Sequence, residues 1–123
     1  MSERPNRPVV LVAEDDASVR MTIELVLDDE GFEVLMAKNG EEALSLAQSA
    51  LPDVILLDHV MPKMGGKDVL AALRRDESTA AIPVLVLTGM ARDDADWPGA
   101  QFVGKPFSPD ELVARIRDVI PST

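Results

Sequence analysis

The sequence predicts a doubly wound three-layer α/β sandwich, a parallel sheet with helices on both faces. Three runs, Val9-Val10-Leu11-Val12, Val54-Ile55-Leu56-Leu57 and Val84-Leu85-Val86-Leu87, are apolar at every position. A strand without polar alternation is buried on both faces, which places it in a sheet sandwiched by helices. Longer stretches of helical periodicity separate these runs, and alternating strands and helices build a parallel sheet through right-handed crossovers. The length, 123 residues, suits one domain with one core region.

Residues 1–8 are polar and proline-bearing and read as a flexible tail ahead of a domain at 9–120. The first strand is expected at 9–13. A helix follows with Val19, Ile23, Val26 and Leu27 on one stripe, Asp16 as its N-cap and Gly31 closing its C-terminus. The second strand covers 33–36. Asn39-Gly40-Glu41-Glu42 opens the next helix, an N-cap with Glu three positions on, and that helix runs to about residue 49. After the third strand at 54–57 comes a helix over 66–75 with Val69, Leu70 and Leu73 turned inward. Strands at 84–87 and 101–103 follow. Ser108-Pro109-Asp110-Glu111 is a capping box with proline at the first helical position, and Leu112, Val113, Ile116, Val119 and Ile120 form the stripe of the last helix.

Charge and composition exclude several function classes. Lys and Arg number 12 against 22 Asp and Glu, a net charge of −10, which repels DNA phosphate and anionic membrane. Direct nucleic-acid binding is not expected. With no cysteine, disulfides, thiolate metal sites and cysteine nucleophiles are excluded. No apolar run approaches the roughly 20 residues of a membrane span, and the N-terminus lacks the apolar stretch of a signal peptide. The expectation is a soluble, cytoplasmic, acidic domain with no membrane partner.

The chemistry-bearing residues stand where strands end. Glu14, Asp15 and Asp16 follow the first strand, Asp58 the third, Thr88 the fourth and Lys105 the fifth. These are the carboxyl ends of parallel strands, the edge at which such sheets bind ligands. Converging carboxylates repel one another unless a cation neutralises them, and all-oxygen donors suit Mg2+, which commonly shares a phosphate oxygen. A lysine offers a point charge to a phosphoryl group, and a threonine hydroxyl can bond another of its oxygens. Together they describe a site that places phosphate on a carboxylate. Plainer roles exist: Glu14 and Asp15 would favour a helix N-terminus, Thr88 would suit any strand end, and Phe102 reads equally as core. His59, the single histidine, reads as an exposed loop residue.

These pieces resemble the receiver domain of bacterial two-component response regulators. The resemblance is carried by Val12-Ala13-Glu14-Asp15-Asp16, by the stretch from Pro52 through Asp58, Met61-Pro62 and Gly65-Gly66, by Val86-Leu87-Thr88-Gly89, and by Lys105-Pro106-Phe107. It implies a flavodoxin-like five-stranded parallel sheet of order 2-1-3-4-5. It implies Asp58 as phosphoacceptor, Asp15 as direct Mg2+ ligand, Glu14 acting on the metal through water, and Val60 supplying a backbone carbonyl. It also implies Thr88 as switch hydroxyl, Lys105 as the site lysine, Phe102 as switch aromatic, and a cis Lys105–Pro106 bond. The implied partners are a histidine kinase or phosphotransfer protein and a downstream protein target. The only implied catalysis is the domain's own phosphorylation and slow dephosphorylation. In the family the residues two beyond the phosphoacceptor and two beyond the switch threonine flank the attacking water; here they are Val60 and Met90, which lack strong donors or acceptors.

Two other readings use the same residues. A phosphorylation-independent interaction module would not need the acid pair, Asp58 and Lys105, all of which are present. A phosphohydrolase resembling haloacid dehalogenases would have a second Asp two residues after the nucleophile, where this chain has Val60. One departure from the resembled pattern stands out. Only sixteen residues separate Thr88 from Lys105, and Pro98 and Gly99 stop any helix there. The helix between the fourth and fifth strands is therefore expected to be shortened or missing, with Trp97 folded over the sheet edge it would cover. A monomer follows, or a dimer that does not use the usual fourth-helix face, with the output carried by ordering of residues 89–99.

Overall fold

The computed structural model describes residues 7–58, 64–88, 97, 99–105 and 107–120. Five strands form one parallel sheet: β1 (Val9–Ala13), β2 (Glu33–Ala37), β3 (Val54–Asp58), β4 (Val84–Thr88) and β5 (Gln101–Gly104), in the order β2-β1-β3-β4-β5. Among the described residues the helices are α1 (Ala17–Asp29), α2 (Gly40–Ala50), α3 (Gly66–Arg75) and α4 (Pro109–Val119). This is the doubly wound, flavodoxin-like architecture expected from the sequence. The expected shortening of the helix between β4 and β5 concerns residues 89–96 and 98, which lie outside the described residues.

The unbroken apolar strands are explained by the two layers they serve. Leu11, Ile55, Leu57, Val84 and Val86 point into a core with Ala43 and Ala47 of α2 and Val69, Leu70 and Leu73 of α3. Their neighbours Val10, Val12, Val54, Leu56, Leu85 and Leu87 point the other way, against Ile23 and Leu27 of α1 and Leu112, Val113 and Ile116 of α4. Successive strand residues alternate between faces, so a sheet covered on both sides requires apolar residues at every position. The first crossover runs from β1 outward to β2, and the later ones run back across β1 to β3 and β4. Right-handed connections then place α1 on one face and α2 and α3 on the other.

The helix ends follow local chemistry. Asp16 caps α1, accepting from Ser18 N at 2.9 Å and Val19 N at 3.3 Å, and those bonds, the Ser18 hydroxyl first, lower its pKa. Past the end of α1, Gly31 takes φ +92°, the left-handed conformation that glycine adopts without a Cβ penalty. Asn39 accepts from Glu42 N at 2.9 Å, while the Glu42 carboxylate reaches back to Lys38 N at 2.8 Å. Ser108 accepts from Glu111 N at 3.1 Å, with Pro109 at the first turn of α4.

Four strands run one residue beyond the sequence reading, to Ala37, Asp58, Thr88 and Gly104. The ladder accounts for this: Asp58 pairs with Leu87, and Thr88 with Gly104. At the N-terminus, Arg7 donates to Gly31 O at 2.9 Å and Phe32 O at 2.6 Å, and Glu33 N donates to Pro8 O at 2.9 Å. The folded body therefore reaches at least to Arg7. No helix among the described residues is long and apolar enough to cross a membrane.

Candidate functional site

The centre of the sheet is where its winding reverses. Ala13 of β1 pairs with Leu57 of β3, so the next residues, Glu14 and Asp58, emerge side by side at the carboxyl edge. This crevice at the reversal is where open α/β sheets bind ligands. Glu14, Asp15 and Asp58 each bring a carboxylate oxygen within 4.8 Å of the others; Glu14 and Asp58 are buried and Asp15 is exposed.

Lys105 closes the group. Its Nζ donates to Asp58 Oδ1 at 3.0 Å and to Glu14 Oε1 at 3.4 Å. It is aimed inward because its backbone N–H donates to Thr88 O at 2.8 Å, extending the β4–β5 ladder past Gly104. Burial, and then the charge of Asp58, push the Glu14 carboxyl above its ordinary 4.5, against the opposing pull of Asp16 N–H and Lys105. Burial opposes the charge on Lys105, yet the hydrogen bond and charge of Asp58, followed by Glu14, hold it above its ordinary 10.5.

One ammonium against three carboxylates leaves the cluster with excess negative charge, and the donor set is entirely oxygen. Three carboxylate oxygens within 4.8 Å fit a hard divalent ion such as Mg2+. A cation there would offset the repulsion that raises Glu14.

Thr88 is buried at the end of β4, one residue beyond the Leu87 that pairs with Asp58. Phe102 lies on β5, half-buried in the layer of α2 and α3, edge-on to Trp97 with ring centroids 5.8 Å apart. Trp97 is only 3% exposed, packed among Val69, Leu70, Leu73, Val84 and Val86, with Lys67 Nζ 5.9 Å from its ring centre. It covers the β5 side of the sheet, as the sequence suggested. Val60, His59, Met90 and Pro106, with the implied carbonyl ligand and cis bond, lie outside the described residues.

The sequence model of the response regulator receiver domain matches residues 10–117. The chain belongs to that family. Among curated relatives, the phosphate regulon transcriptional regulatory protein PhoB of Pseudomonas aeruginosa is 36% identical over 119 residues, covering 93% of this chain and 52% of that protein. A probable transcriptional regulator, ycf27 of Guillardia theta, is 41% identical over 120 residues, covering 93% and 46%. The receiver domain thus spans about half the length of the curated relatives it matches. Among solved structures, the chemotaxis protein CheY4 of Vibrio cholerae has a TM-score of 0.86 at 32% identity, covering 93% of this chain and 99% of that one. The receiver domain of the sensor histidine kinase PA1611 from Pseudomonas aeruginosa, with magnesium coordinated in its active-site cleft, has a TM-score of 0.88 at 26% identity, covering 94% and 99%.

Two contacts near this receiver site escaped the sequence reading. Arg20 Nη1 donates to Glu14 O at 2.8 Å and Asp15 O at 3.4 Å. The available signal was a lone arginine in the first turn of a helix, where the dipole disfavours cations. Gly40, at the start of α2, lies so close to the Met64 carbonyl that a Cβ would overlap it. That contact joins α2 to the chain leading from Asp58 into α3, and only the asparagine-glycine pair hinted at it.

Proposed function

We propose that this receiver domain accepts a phosphoryl group onto Asp58 from a phosphohistidine of a kinase or phosphotransfer protein, and that the modification switches a surface read by a downstream protein. The observation that carries this is Lys105 Nζ bridging Asp58 and Glu14 at 3.0 and 3.4 Å, beside an exposed Asp15. Asp15, Asp58 and Glu14, with the carbonyl of Val60, would hold Mg2+, whose charge would stabilise the phosphoryl oxygens in flight. Asp58 supplies the attacking carboxylate oxygen, and the burial of that carboxylate limits water around it. Lys105 holds Asp58 in place before transfer and meets the developing negative charge during it. The catalysis is positioning and electrostatics, confined to the domain's own phosphorylation and slow dephosphorylation.

Thr88, one ladder position past Asp58, is suited to bond the new phosphoryl group. Its backbone carries Lys105, so a shift of Thr88 moves the start of the chain after β5 as well. Phe102 and Trp97 share an edge-to-face contact on the same side of the sheet, which suits an output through residues 89–99 rather than through a dimer on the usual fourth-helix face. We place the domain in the cytoplasm, working through protein partners rather than by direct DNA contact. The test is incubation with acetyl phosphate and Mg2+: mass spectrometry should find one phosphoryl group on Asp58 and none in Asp58→Asn. Stoichiometric labelling of that variant at another residue would defeat the assignment.

A further inference from the structure

The first turn of α1 contains no acidic residue, although the positive end of a helix dipole favours them, and it contains Arg20, which the dipole disfavours. A side chain that breaks a local rule needs a compensating contact. Arg20 has one: its guanidinium turns back past the helix start and donates through Nη1 to the carbonyls of Glu14 and Asp15, at 2.8 and 3.4 Å. Among the described residues it goes to these carbonyls and not to the nearby carboxylates. Those carbonyls follow the last paired residue of β1, Ala13. Among the described residues this stretch is also tied by Glu14 N donating to Ala37 O at 3.0 Å, Asp16 N donating to Glu14 Oε2 at 3.3 Å and Lys105 Nζ donating to Glu14 Oε1 at 3.4 Å.

We propose that Arg20 is a positioning residue for the divalent-cation site, fixing the peptides of Glu14 and Asp15 so that both carboxylates face Asp58. The inference rests on the reading of that cluster as an Mg2+ site. Groups that orient metal ligands without touching the metal commonly control affinity by about 10–100-fold. Arg20 holds backbone carbonyls while its permanent positive charge stands beside a cation site, so its two effects have opposite signs. By charge alone, removing a cation strengthens Mg2+ binding. By positioning, removing it frees the two peptides and weakens binding.

The experiment measures half-saturating Mg2+ from the rise in melting temperature with added metal, for wild type, Arg20→Met and Arg20→Lys. Methionine keeps an unbranched stem without donors or charge; lysine keeps both on a shorter reach. The expected result is about tenfold weaker Mg2+ binding in Arg20→Met, with Arg20→Lys between it and wild type and the metal-free melting temperatures close together. Binding in Arg20→Met as tight as wild type, or tighter, would overturn the inference while leaving the metal site standing. Should Arg20→Met be unfolded, Arg20→Lys decides: weaker binding at a preserved metal-free melting temperature supports positioning, and wild-type or tighter binding refutes it. A wild-type protein whose melting temperature ignores Mg2+ would remove the metal site itself, and the inference with it.

Discussion

Replacing Lys105 with methionine keeps an unbranched side chain and removes the cation that Asp58 and Glu14 share. The side chains of Glu14 and Asp58 are 2% and 10% exposed, and that of Lys105 is 30% exposed. Breaking a fully buried ion pair costs about 3–5 kcal/mol, whereas an exposed pair contributes about 0–1 kcal/mol. The partly wet ammonium puts this change between them, at about 1–3 kcal/mol in metal-free solution near neutral pH. For a domain of this size the melting temperature should fall by roughly 4–12 °C. The loss should depend on pH with a definite sign. Glu14 has a raised pKa in the folded protein, so the native state binds its proton more tightly than the unfolded chain does. Its ionised form therefore weakens the fold above the folded-state value, and the weakening fades as pH falls through that value toward the ordinary 4.5. Without Lys105, one of the influences lowering Glu14 is gone, so the penalty grows. The gap between variant and wild type should be widest above the folded-state pKa of Glu14 and should narrow as pH falls through it toward the ordinary 4.5. Lys105 stays charged throughout that window, because its own pKa is raised above 10.5; the stability it confers is lost only in more alkaline solution. Thermal melts in a chelator at a series of pH values test this. An unchanged melting temperature near neutrality, or a gap that does not vary with pH, would refute the reasoning.

Asp15→Asn should abolish the Mg2+-induced rise in melting temperature, which a thermal-shift titration reads directly. Val60→Asn with Met90→Glu should accelerate loss of the Asp58 phosphoryl group by giving the attacking water polar neighbours; phosphate loss within seconds in the unmodified protein would contradict slow self-hydrolysis. Trp97→Ala should cost about 3–5 kcal/mol in urea unfolding, as expected for a large buried side chain, and the native emission of this single tryptophan should be blue-shifted. Gly40→Ala should lower stability by about 1–3 kcal/mol, because the new Cβ meets the Met64 carbonyl. It should also slow labelling of Asp58 by acetyl phosphate; wild-type stability and labelling together would show that α2 and the chain at Met64 can separate freely.

Local pattern sufficed for much of this receiver domain. The apolar runs of β1, β3 and β4 announced a sheet covered on both faces, and Asp16, Asn39 and Ser108 announced their helix starts, because periodicity and capping are decided by neighbours in the chain. The order of the residues also put Glu14, Asp15, Asp58, Thr88 and Lys105 at strand ends, which parallel winding gathers at one edge. What the sequence did not carry was contact between distant segments. Glu14 and Lys105 stand 91 positions apart in the chain, and they meet only once β1, β3 and β5 take their places in the sheet. The burial that raises Glu14, the turn of Arg20 onto the carbonyls behind it, and the need for glycine where α2 meets Met64 each depend on atoms brought close by folding. Side-chain periodicity determines which face of an element is apolar, but only tertiary packing decides what that face, and the polar groups at its end, will meet.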